Sequence, residues 1–357
     1  MSYLLAFLGF AALIILHEAG HFAAAKAVGM RVERFSLFFG PLLVKFRRGE
    51  TEYGIGPIPL GGYVKITGMN PAEDIPEEHR ARAYYNQPVW KRIVVILAGP
   101  AVNLLIAFVI IWALLLNNGQ PIPTTRIAAV RASTAAAQVL RPGDELISVD
   151  GVSGAEATLR AQIGTHRCAG AQVAGCSAAV PARIVVRRAG RLVTLNIRPR
   201  YSAVDRRPEL GFLFAVGASY PSATRAASAA ITGLWSVTRQ TVSTIARVFE
   251  PQERKQLSGV VGGYTVTQES FAQSPSRALE VLALISLSLG IINLFPFLPL
   301  DGGHVFWAVA EKVRGRRISF AVMERAGMVG FVLIILLFFI GLSNDITTLA
   351  GKGFNVR

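Results

Sequence analysis

The sequence has 357 residues, of which 52% are hydrophobic and only 17% are charged. Typical soluble domains contain about 25% charged residues, so this composition argues against a soluble enzyme and favours a membrane protein. The formal net charge of +15 would suit a nucleic-acid partner. However, the basic residues cluster beside apolar runs, which indicates charge flanking a membrane and no nucleic-acid partner.

Four apolar segments are long enough to cross a bilayer, and we expect each to be a transmembrane helix. In chain order they are Leu4 to about Val28, Ile93–Leu116, Val281–Leu300 and Ala326–Leu342. The loop between the first two segments and the loop between the last two are rich in Lys and Arg. By the positive-inside rule both loops are cytoplasmic, so the chain ends and the long region Asn117–Leu279 lie outside.

The regions between these segments contain other predicted elements. Thr51–Ile66 predicts short strands separated by Gly and Pro turns, and residues 126–200 predict a small mixed domain. Within that domain, Ala182–Arg200 predicts a hairpin that turns at Ala189–Gly190. The stretch Thr224–Val248 mixes apolar residues with Arg, which is typical both of an amphipathic helix on the outer membrane surface and of a simple connector.

The middle of the first segment carries three titratable residues, which are costly to hold in hydrocarbon. His17, Glu18 and His21 form the pattern HExxH. Histidines four residues apart project from one helical face and can bind one metal ion, and zinc is the expected metal. Glu18 lies about 100° around the helix, where it can act as general base toward a water activated by the metal. A chance match on a buried helix is the alternative, and it leaves the cost of the carboxylate unexplained.

A catalytic zinc usually has three protein ligands and a water molecule, so a third ligand is expected. Asp301, within NLFPFLPLDGGH, lies at the predicted cytoplasmic end of the third segment, at a depth similar to that of His17. Pro296 and Pro299 break the helix there, and the glycines that follow Asp301 allow close backbone approach. Asp301 is therefore the predicted third ligand, and His304 is the alternative.

The motifs LHEAGHF, LAGPAVN and NLFPFLPLDGGH, in this order, resemble the bacterial site-2 proteases, zinc intramembrane proteases of the regulator-of-sigma-E-protease type. The resemblance covers most of the chain. It implies a polytopic α-helical membrane protein with four transmembrane helices, a membrane-associated β-hairpin and an extracytoplasmic PDZ-like α+β domain. IPLGGYVKITGM (Ile58–Met69) resembles the hairpin, and LRPGDELISVDG resembles part of the single PDZ domain.

The resemblance also implies partners and a cofactor. The expected substrates are single-pass membrane proteins, such as anti-sigma factors already cut by a site-1 protease or signal-peptide remnants, which are cleaved within their transmembrane segments. The lipid bilayer is the other expected partner, and one Zn2+ per chain is the expected cofactor. Asn293, Gly61, Gly62 and Asn103 are expected to bind the extended substrate or to steady the oxyanion. The alternative for Asn293 is a hydrogen bond between helices.

The expected organisation has four parts in the inner (plasma) membrane. They are a first membrane part at 1–118, an extracytoplasmic PDZ-like domain at 119–205, an extracytoplasmic linker with an amphipathic helix at 206–278, and a second membrane part at 279–357. Both termini and the PDZ-like domain are expected outside the cytoplasm, with the active site toward the cytoplasmic side of the membrane.

Cys168 and Cys176 are the only cysteines, and outside the cytoplasm two nearby cysteines suggest a disulfide. With His166 they would alternatively bind a metal ion, although three ligands at irregular spacing are a weak signal. Two other functions remain open at this point. A metal transporter predicts polar residues on several helices, and a non-proteolytic PDZ scaffold anchored in the membrane gives no role to Glu18 or Asp301.

Overall fold

The structure, a computed structural model, describes residues 2–70, 73–132, 134–202, 207–247, 250 and 259–351. The chain forms two compact units. One comprises Met1–Leu114 together with Ala223–Arg357, and the other comprises Leu115–Ser222. The expected linker at 206–278 includes residues 248–249 and 251–258, which lie outside the described residues.

The described residues form long apolar helices as well as helices that are shorter or more polar. They are α1 (Ser2–Ala27), α2 (Glu77–Arg80), α3 (Val89–Asn118), α4 (Glu156–Gly164), α5 (Ala223–Ala246), α6 (Val260–Gln273), α7 (Pro275–Asn293), α8 (Asp301–Arg314) and α9 (Phe320–Ala350). Four of the helices in the described part of the chain, α1, α3, α7 and α9, are long and apolar enough to cross a membrane. This agrees with the four apolar segments found in the sequence and is the architecture of a membrane protein.

Helix α7 differs from the predicted third segment, Val281–Leu300, at both of its ends. It starts earlier in the chain and stops at Asn293. The helix stops there because Pro296 and Pro299 lack the N–H groups that the next helical turns would need. Residues 294–300 form a run of turns instead, and Asp301 begins the separate helix α8.

The first unit contains a four-stranded sheet. Its strands are β1 (Val32–Phe39), β2 (Val44–Arg48), β3 (Thr51–Ile55) and β4 (Ile58–Ile66), in the spatial order β2-β3-β1-β4. Strands β2 and β3 form a hairpin. Strand β1 lies between β3, to which it is parallel, and β4, to which it is antiparallel.

The hairpin predicted over Ile58–Met69 is wrong in its pairing. That stretch is the single strand β4 followed by a turn, and its partner is β1, where Leu37 lies opposite Gly62. Pro57 and Pro59 lack the backbone N–H groups with which a ladder from β3 to β4 would continue. Strand β4 therefore pairs with β1 and forms an edge of the sheet.

The second unit is a small α+β domain. Its strands are β5 (Gln120–Val130), β6 (Glu145–Val149), β7 (Val152–Ser153), β8 (Ala182–Arg188), β9 (Arg191–Ile197), β10 (Arg200–Ser202), β11 (Arg207–Glu209) and β12 (Phe212–Ser219). The main sheet has the order β12-β5-β6-β8-β9, with β7 paired to β6. Leu146, Leu159 and Ile184 are fully buried between this sheet and α4. The β8–β9 hairpin turns at Ala189–Gly190, as predicted; the PDZ identity of this unit stays a prediction.

The two cysteines are joined by a disulfide. Cys168 and Cys176 have Cα atoms 6.1 Å apart, and the structure records neither as a free thiol. The predicted disulfide is thus confirmed, and the alternative of a metal site with His166 is wrong because both sulfur atoms are used in the bond. Nε2 of His166 instead lies 3.4 Å from Oδ2 of Asp150.

Candidate metal centre

His17, His21 and Asp301 come together where α1 meets the start of α8. Nε2 of His17 lies 3.3 Å from Nε2 of His21, and each of these atoms lies 3.3 Å from Oδ2 of Asp301. Both histidines are 7% exposed. Among the described residues, these three side chains form the group of potential metal ligands, with ligand atoms all within 4.8 Å of one another.

The three ligand atoms form a nearly equilateral triangle, which fits one face of a zinc tetrahedron. Zinc binds imidazole nitrogen and carboxylate oxygen at about 2.0–2.1 Å, so two ligands of a tetrahedral ion lie about 3.3–3.4 Å apart. Oδ2 of Asp301 is buried, and no hydrogen bond in the described structure occupies it, so it is free to bind a metal ion. Two imidazoles and one carboxylate also leave a fourth position for water. The donor set therefore fits a catalytic zinc ion.

A backbone carbonyl of α3 holds the ring of His21. Nδ1 of His21 lies 2.8 Å from the carbonyl oxygen of Val95, so this nitrogen carries the proton and donates it. Nε2 is then left free to face the other two ligand atoms. The sequence did not indicate Val95, because a main-chain acceptor can come from any residue type.

Two glycines allow α1 and α3 to approach closely at this level. A Cβ built on Gly20 would lie 2.6 Å from the carbonyl oxygen of Ala98, and one built on Gly99 would lie 2.2 Å from Nε2 of His21. Neither position can carry a side chain without moving a helix or the histidine ring. The signal that could have found them is the small residue in each helix motif, LHEAGHF and LAGPAVN, since small residues mark close packing of membrane helices.

The turns before α8 direct Asp301 toward α1. A Cβ on Gly302 would lie 2.2 Å from the carbonyl oxygen of Leu294, and one on Gly303 would lie 2.5 Å from the backbone nitrogen of Leu298. The turn backbone thus folds directly onto the first turn of the helix, and only glycine leaves the necessary space. This local fold lets the carboxylate reach the histidines from a helix that follows the predicted third segment.

A largely buried ion pair fixes the rest of α8 against α3. Nη2 of Arg92 lies 2.6 Å from Oε2 of Glu311, and the two side chains are 11% and 13% exposed. Such a pair is costly to break, because removal of one partner leaves the other charge buried and uncompensated. The helix that begins with Asp301 is therefore held at a defined position relative to α3.

Glu18 lies beside the ligand triangle, between α1 and β4. The backbone of Val64 on β4 lies near its carboxylate. A Cβ built on Gly62 would lie 3.0 Å from Cγ of Glu18, so β4 and α1 are packed closely at this point. The predicted general base thus lies next to the ligand atoms and packs against an edge strand.

The other residues singled out in the sequence lie in different surroundings. Gly61 has φ of 135°, and a Cβ there would lie 2.9 Å from the ring of Phe39. Asn293 is half-buried at the last residue of α7, and His304 lies outside the ligand triangle. Asn103 is fully buried on α3. The substrate or oxyanion roles of Gly61, Gly62, Asn293 and Asn103 stay predictions.

Comparison with known proteins identifies relatives along nearly the whole chain. Zinc metalloprotease Rip1 of Mycobacterium tuberculosis is 31% identical over 344 residues, which cover 84% of this chain and 83% of the relative. Rip1 of Mycolicibacterium smegmatis is 32% identical over an alignment of 365 residues, covering 89% and 88%. A Brucella suis biovar 1 protein, named provisionally as a zinc metalloprotease, is 30% identical over 347 residues, covering 90% and 88%.

The family match has the same extent. Residues 5–337 match Peptidase family M50, a range that contains both helix motifs, the four-stranded sheet and Asp301. The chain therefore belongs to peptidase family M50, the site-2 protease family, and is a zinc-dependent metalloprotease.

Proposed function

We propose that this protein is an intramembrane endopeptidase that cleaves the transmembrane segments of single-pass membrane proteins. His17, His21 and Asp301 ligate the zinc ion, and Glu18 is the general base. The substrates are proteins such as anti-sigma factors already trimmed by another protease, or signal-peptide remnants, so the enzyme acts in regulated intramembrane proteolysis. One observation carries the proposal: two of the three atoms in the triangle of ligand atoms, those of His17 and His21, belong to α1, a helix long and apolar enough to cross a membrane.

The depth of the site supports cleavage inside the bilayer. His17 is 15 residues beyond the first residue of α1, or about 22 Å at 1.5 Å per residue. The chain after α1 and the start of α3 are rich in Lys and Arg, which are retained on the cytoplasmic side. In the inner membrane, the active site then lies toward the cytoplasm, while both termini and residues 119–205 are extracytoplasmic.

Each residue of the site has its own role in peptide hydrolysis. When bound, zinc supplies Lewis acidity, which acidifies water and polarises a carbonyl group. The carboxylate of Glu18 accepts a proton from water as the water oxygen attacks the scissile carbonyl carbon, and it later donates that proton to the leaving amine nitrogen. The packing of Glu18 against β4 keeps the carboxylate next to the ligand atoms. The side-chain amide of Asn293 donates to the carbonyl oxygen as that oxygen gains negative charge.

Strand β4 provides a way to present the substrate. A helical substrate hides its amide bonds, so the segment to be cut must first become extended. Strand β4 is an edge strand beside Glu18, and an extended segment can pair with such an edge through its backbone. Gly61 packs on the ring of Phe39 and Gly62 packs on Glu18, so this part of the strand lies next to the general base.

The proposal is tested with the purified full-length protein in liposomes and a set of single-pass model substrates whose outer domains have been removed. We expect a cut within the transmembrane segment, loss of the cut after zinc is chelated, and its return on addition of zinc. Glu18→Gln serves as the matched inactive variant. Transport of zinc without any cut would support the transporter, and binding of substrates without any cut would support the scaffold; either outcome contradicts the proposal.

A further inference from the structure

Two buried groups near the metal centre lack hydrogen-bond partners. Asn103 is 0% exposed, and within the described structure neither Nδ2 nor Oδ1 of its side chain has a partner. Nδ1 of His17 is also buried and unpartnered there. A buried polar group without a partner lowers stability, so an explanation is needed for both.

The contacts between α1 and α3 indicate which residues of the two helices lie at the same level, that is, at the same height along the helix axes. Nζ of Lys91 donates to the carbonyl oxygen of Val28 at 2.9 Å, and a Cβ on Gly99 would touch His21. Between these two contacts the numbering rises from 91 to 99 along α3, and it falls from 28, directly after α1, to 21 within α1. The helices are therefore antiparallel, and nearly equal numbers of residues separate the two contacts on each helix.

One further helical turn leads to the two unpartnered groups. Four residues on from Gly99 is Asn103, and four residues back from His21 is His17. Residues four apart lie on the same helical face. Asn103 and His17 are thus at the same level of the antiparallel pair, one turn beyond the contact between Gly99 and His21.

Helix α7 indicates the same level independently. Ser286 contacts the backbone of Asn103, and Gly290 contacts the backbone of Pro100, so this helix runs antiparallel to α3 and parallel to α1. A Cβ on Gly9 would lie 3.0 Å from the side chain of Leu282, and one on Gly290 would lie 3.4 Å from Cβ of Asn103. His17 is eight residues beyond Gly9, and Gly290 is eight residues beyond Leu282. Asn103, Gly290 and His17 are accordingly at one level of three helices.

The chemistry of a metal-bound histidine explains what Asn103 can do. A histidine that ligates through Nε2 carries its proton on Nδ1 and donates it to an acceptor, which fixes the tautomer and the ring. His21 uses the carbonyl of Val95 in this way, whereas His17 has no such acceptor among the described residues. One buried water between the Asn103 amide and Nδ1 of His17 would satisfy both groups, as structural waters do for buried polar atoms in other proteins.

We propose that Asn103 is a positioning residue for the metal centre. Its Oδ1 accepts a hydrogen bond that one buried water relays from Nδ1–H of His17. The relay holds His17 in the tautomer whose Nε2 faces the other ligand atoms, and it thereby strengthens metal binding. This inference rests on the proposed function, because it requires His17 to ligate zinc, and it gives Asn103 a role other than substrate contact.

The test compares three variants of the full-length protein. Asn103→Leu keeps the shape of the side chain and removes its acceptor, while Asn103→Asp keeps an acceptor in place. Ser286→Ala is the control, because Oγ of Ser286 donates only to the backbone oxygen of Asn103 at the same helix contact. The measurements are the zinc dissociation constant by chelator competition, the absorption spectrum of the cobalt-substituted protein, and the melting temperature of the metal-free protein.

We expect Asn103→Leu to weaken zinc binding by about 10–100-fold, as loss of an outer hydrogen-bond partner does in other zinc sites, and to alter the cobalt spectrum. Its metal-free melting temperature should stay close to that of the wild type, because leucine removes the unpartnered Nδ2 group of Asn103 but also leaves Nδ1 of His17 without its acceptor. Asn103→Asp should retain wild-type affinity, and Ser286→Ala should bind zinc as the wild type does. A purely structural role would instead lower the melting temperature and leave the affinity and the spectrum unchanged.

His17→Ala separates failure of this inference from failure of the proposed function. If His17→Ala loses zinc while Asn103→Leu binds it normally, the role of Asn103 is wrong and the ligand assignment stands. If His17→Ala binds zinc as tightly as the wild type, the ligand assignment is wrong and the inference falls with it. Failure of Asn103→Asp to retain affinity that Asn103→Leu has lost would also overturn the relay, because the acceptor would then be irrelevant.

Discussion

The ring of His21 occupies the space that a side chain at position 99 would need, since a Cβ on Gly99 would lie 2.2 Å from Nε2 of His21. The same nitrogen lies 3.3 Å from the ligand atoms of His17 and Asp301. The triangle of ligand atoms can therefore form only because position 99 of α3 has no side chain. A single methyl group at this position would push one corner of the triangle away from the other two.

We predict that Gly99→Ala lowers zinc affinity by at least about 10-fold, in line with other changes that disturb a ligand's orientation, and lowers proteolysis with it. Zinc content after dialysis and cleavage of a model substrate are the measurements. Gly233→Ala on α5 is the matched control, because a Cβ there meets nothing within 4 Å. A Gly99→Ala protein with normal zinc content and normal activity would show that the ring is not confined as described.

Glu18→Gln should abolish most of the activity and leave the metal in place. Glutamine keeps the shape of the side chain but cannot accept the proton of the attacking water, and a general base contributes about 10²–10⁴-fold to rate. The measurements are single-turnover cleavage and zinc content of the same sample. Near-normal cleavage would exclude Glu18 as the base, whereas loss of zinc in parallel with activity would assign it to metal binding.

Asn293→Ala distinguishes a catalytic amide from a structural one. If the amide stabilises the oxyanion, its loss should reduce turnover by about 10²–10³-fold while zinc content and melting temperature stay nearly unchanged. Ser286→Ala on the same helix is the control for a polar group that only bonds between helices. A drop in melting temperature that matches the drop in activity would instead assign Asn293 to helix packing.

The sequence predicted the ligand residues of the metal centre better than the path of the backbone between them. HExxH and the acidic residue after the third apolar segment could be recognised because each ligand type and spacing has a chemical reason. Pro296 and Pro299 indicated that the helix is broken, but its end at Asn293 was less predictable, because apolar residues continue to Leu300 and hydropathy alone does not distinguish a helix from a turn. Only the packing of the turn backbone on Gly302 and Gly303 makes Asp301 the start of a new helix.

The strand order of the four-stranded sheet could not be predicted from the sequence either. Its order, β2-β3-β1-β4, depends on the parallel pairing of β1 with β3, and a pairing between distant segments has no local signal in the sequence. The β8–β9 hairpin was predictable because it is local and turns at Ala189–Gly190. For the same reason, the carbonyl of Val95 that orients His21 could not be found before the helices were packed.

Glu50 gives the structure a pH dependence outside the membrane-spanning helices. Two hydrogen bonds from Arg82, at 2.6 and 2.8 Å, and one from Lys26 hold its carboxylate. These partners, Arg82 foremost, lower the pKa of Glu50 from 4.5 to about 2. Because the folded-state pKa lies below the unfolded-state pKa, the stabilisation is present above pH 4.5 and is lost as the pH falls toward 2.

We therefore predict that Glu50→Gln lowers the melting temperature of the protein at pH 7 by a few degrees. The difference between wild type and variant should shrink steadily as the pH is lowered from about 4.5 toward 2. Glu77→Gln is the control, because that side chain is 82% exposed in its pair with Arg80 and exposed pairs contribute little. A difference that is constant or grows in acid would contradict the role of Glu50.

Two imidazoles and one carboxylate within the membrane part of the protein are the proposed zinc ligands. Zinc K-edge X-ray absorption of the purified full-length protein measures this ligand set. We predict one zinc ion per chain with a shell of nitrogen and oxygen atoms at about 2.0–2.1 Å, imidazole scattering from two histidines, and loss of that signal in Asp301→Ala. A sulfur shell at about 2.3 Å, or an unchanged spectrum in Asp301→Ala, would contradict the account.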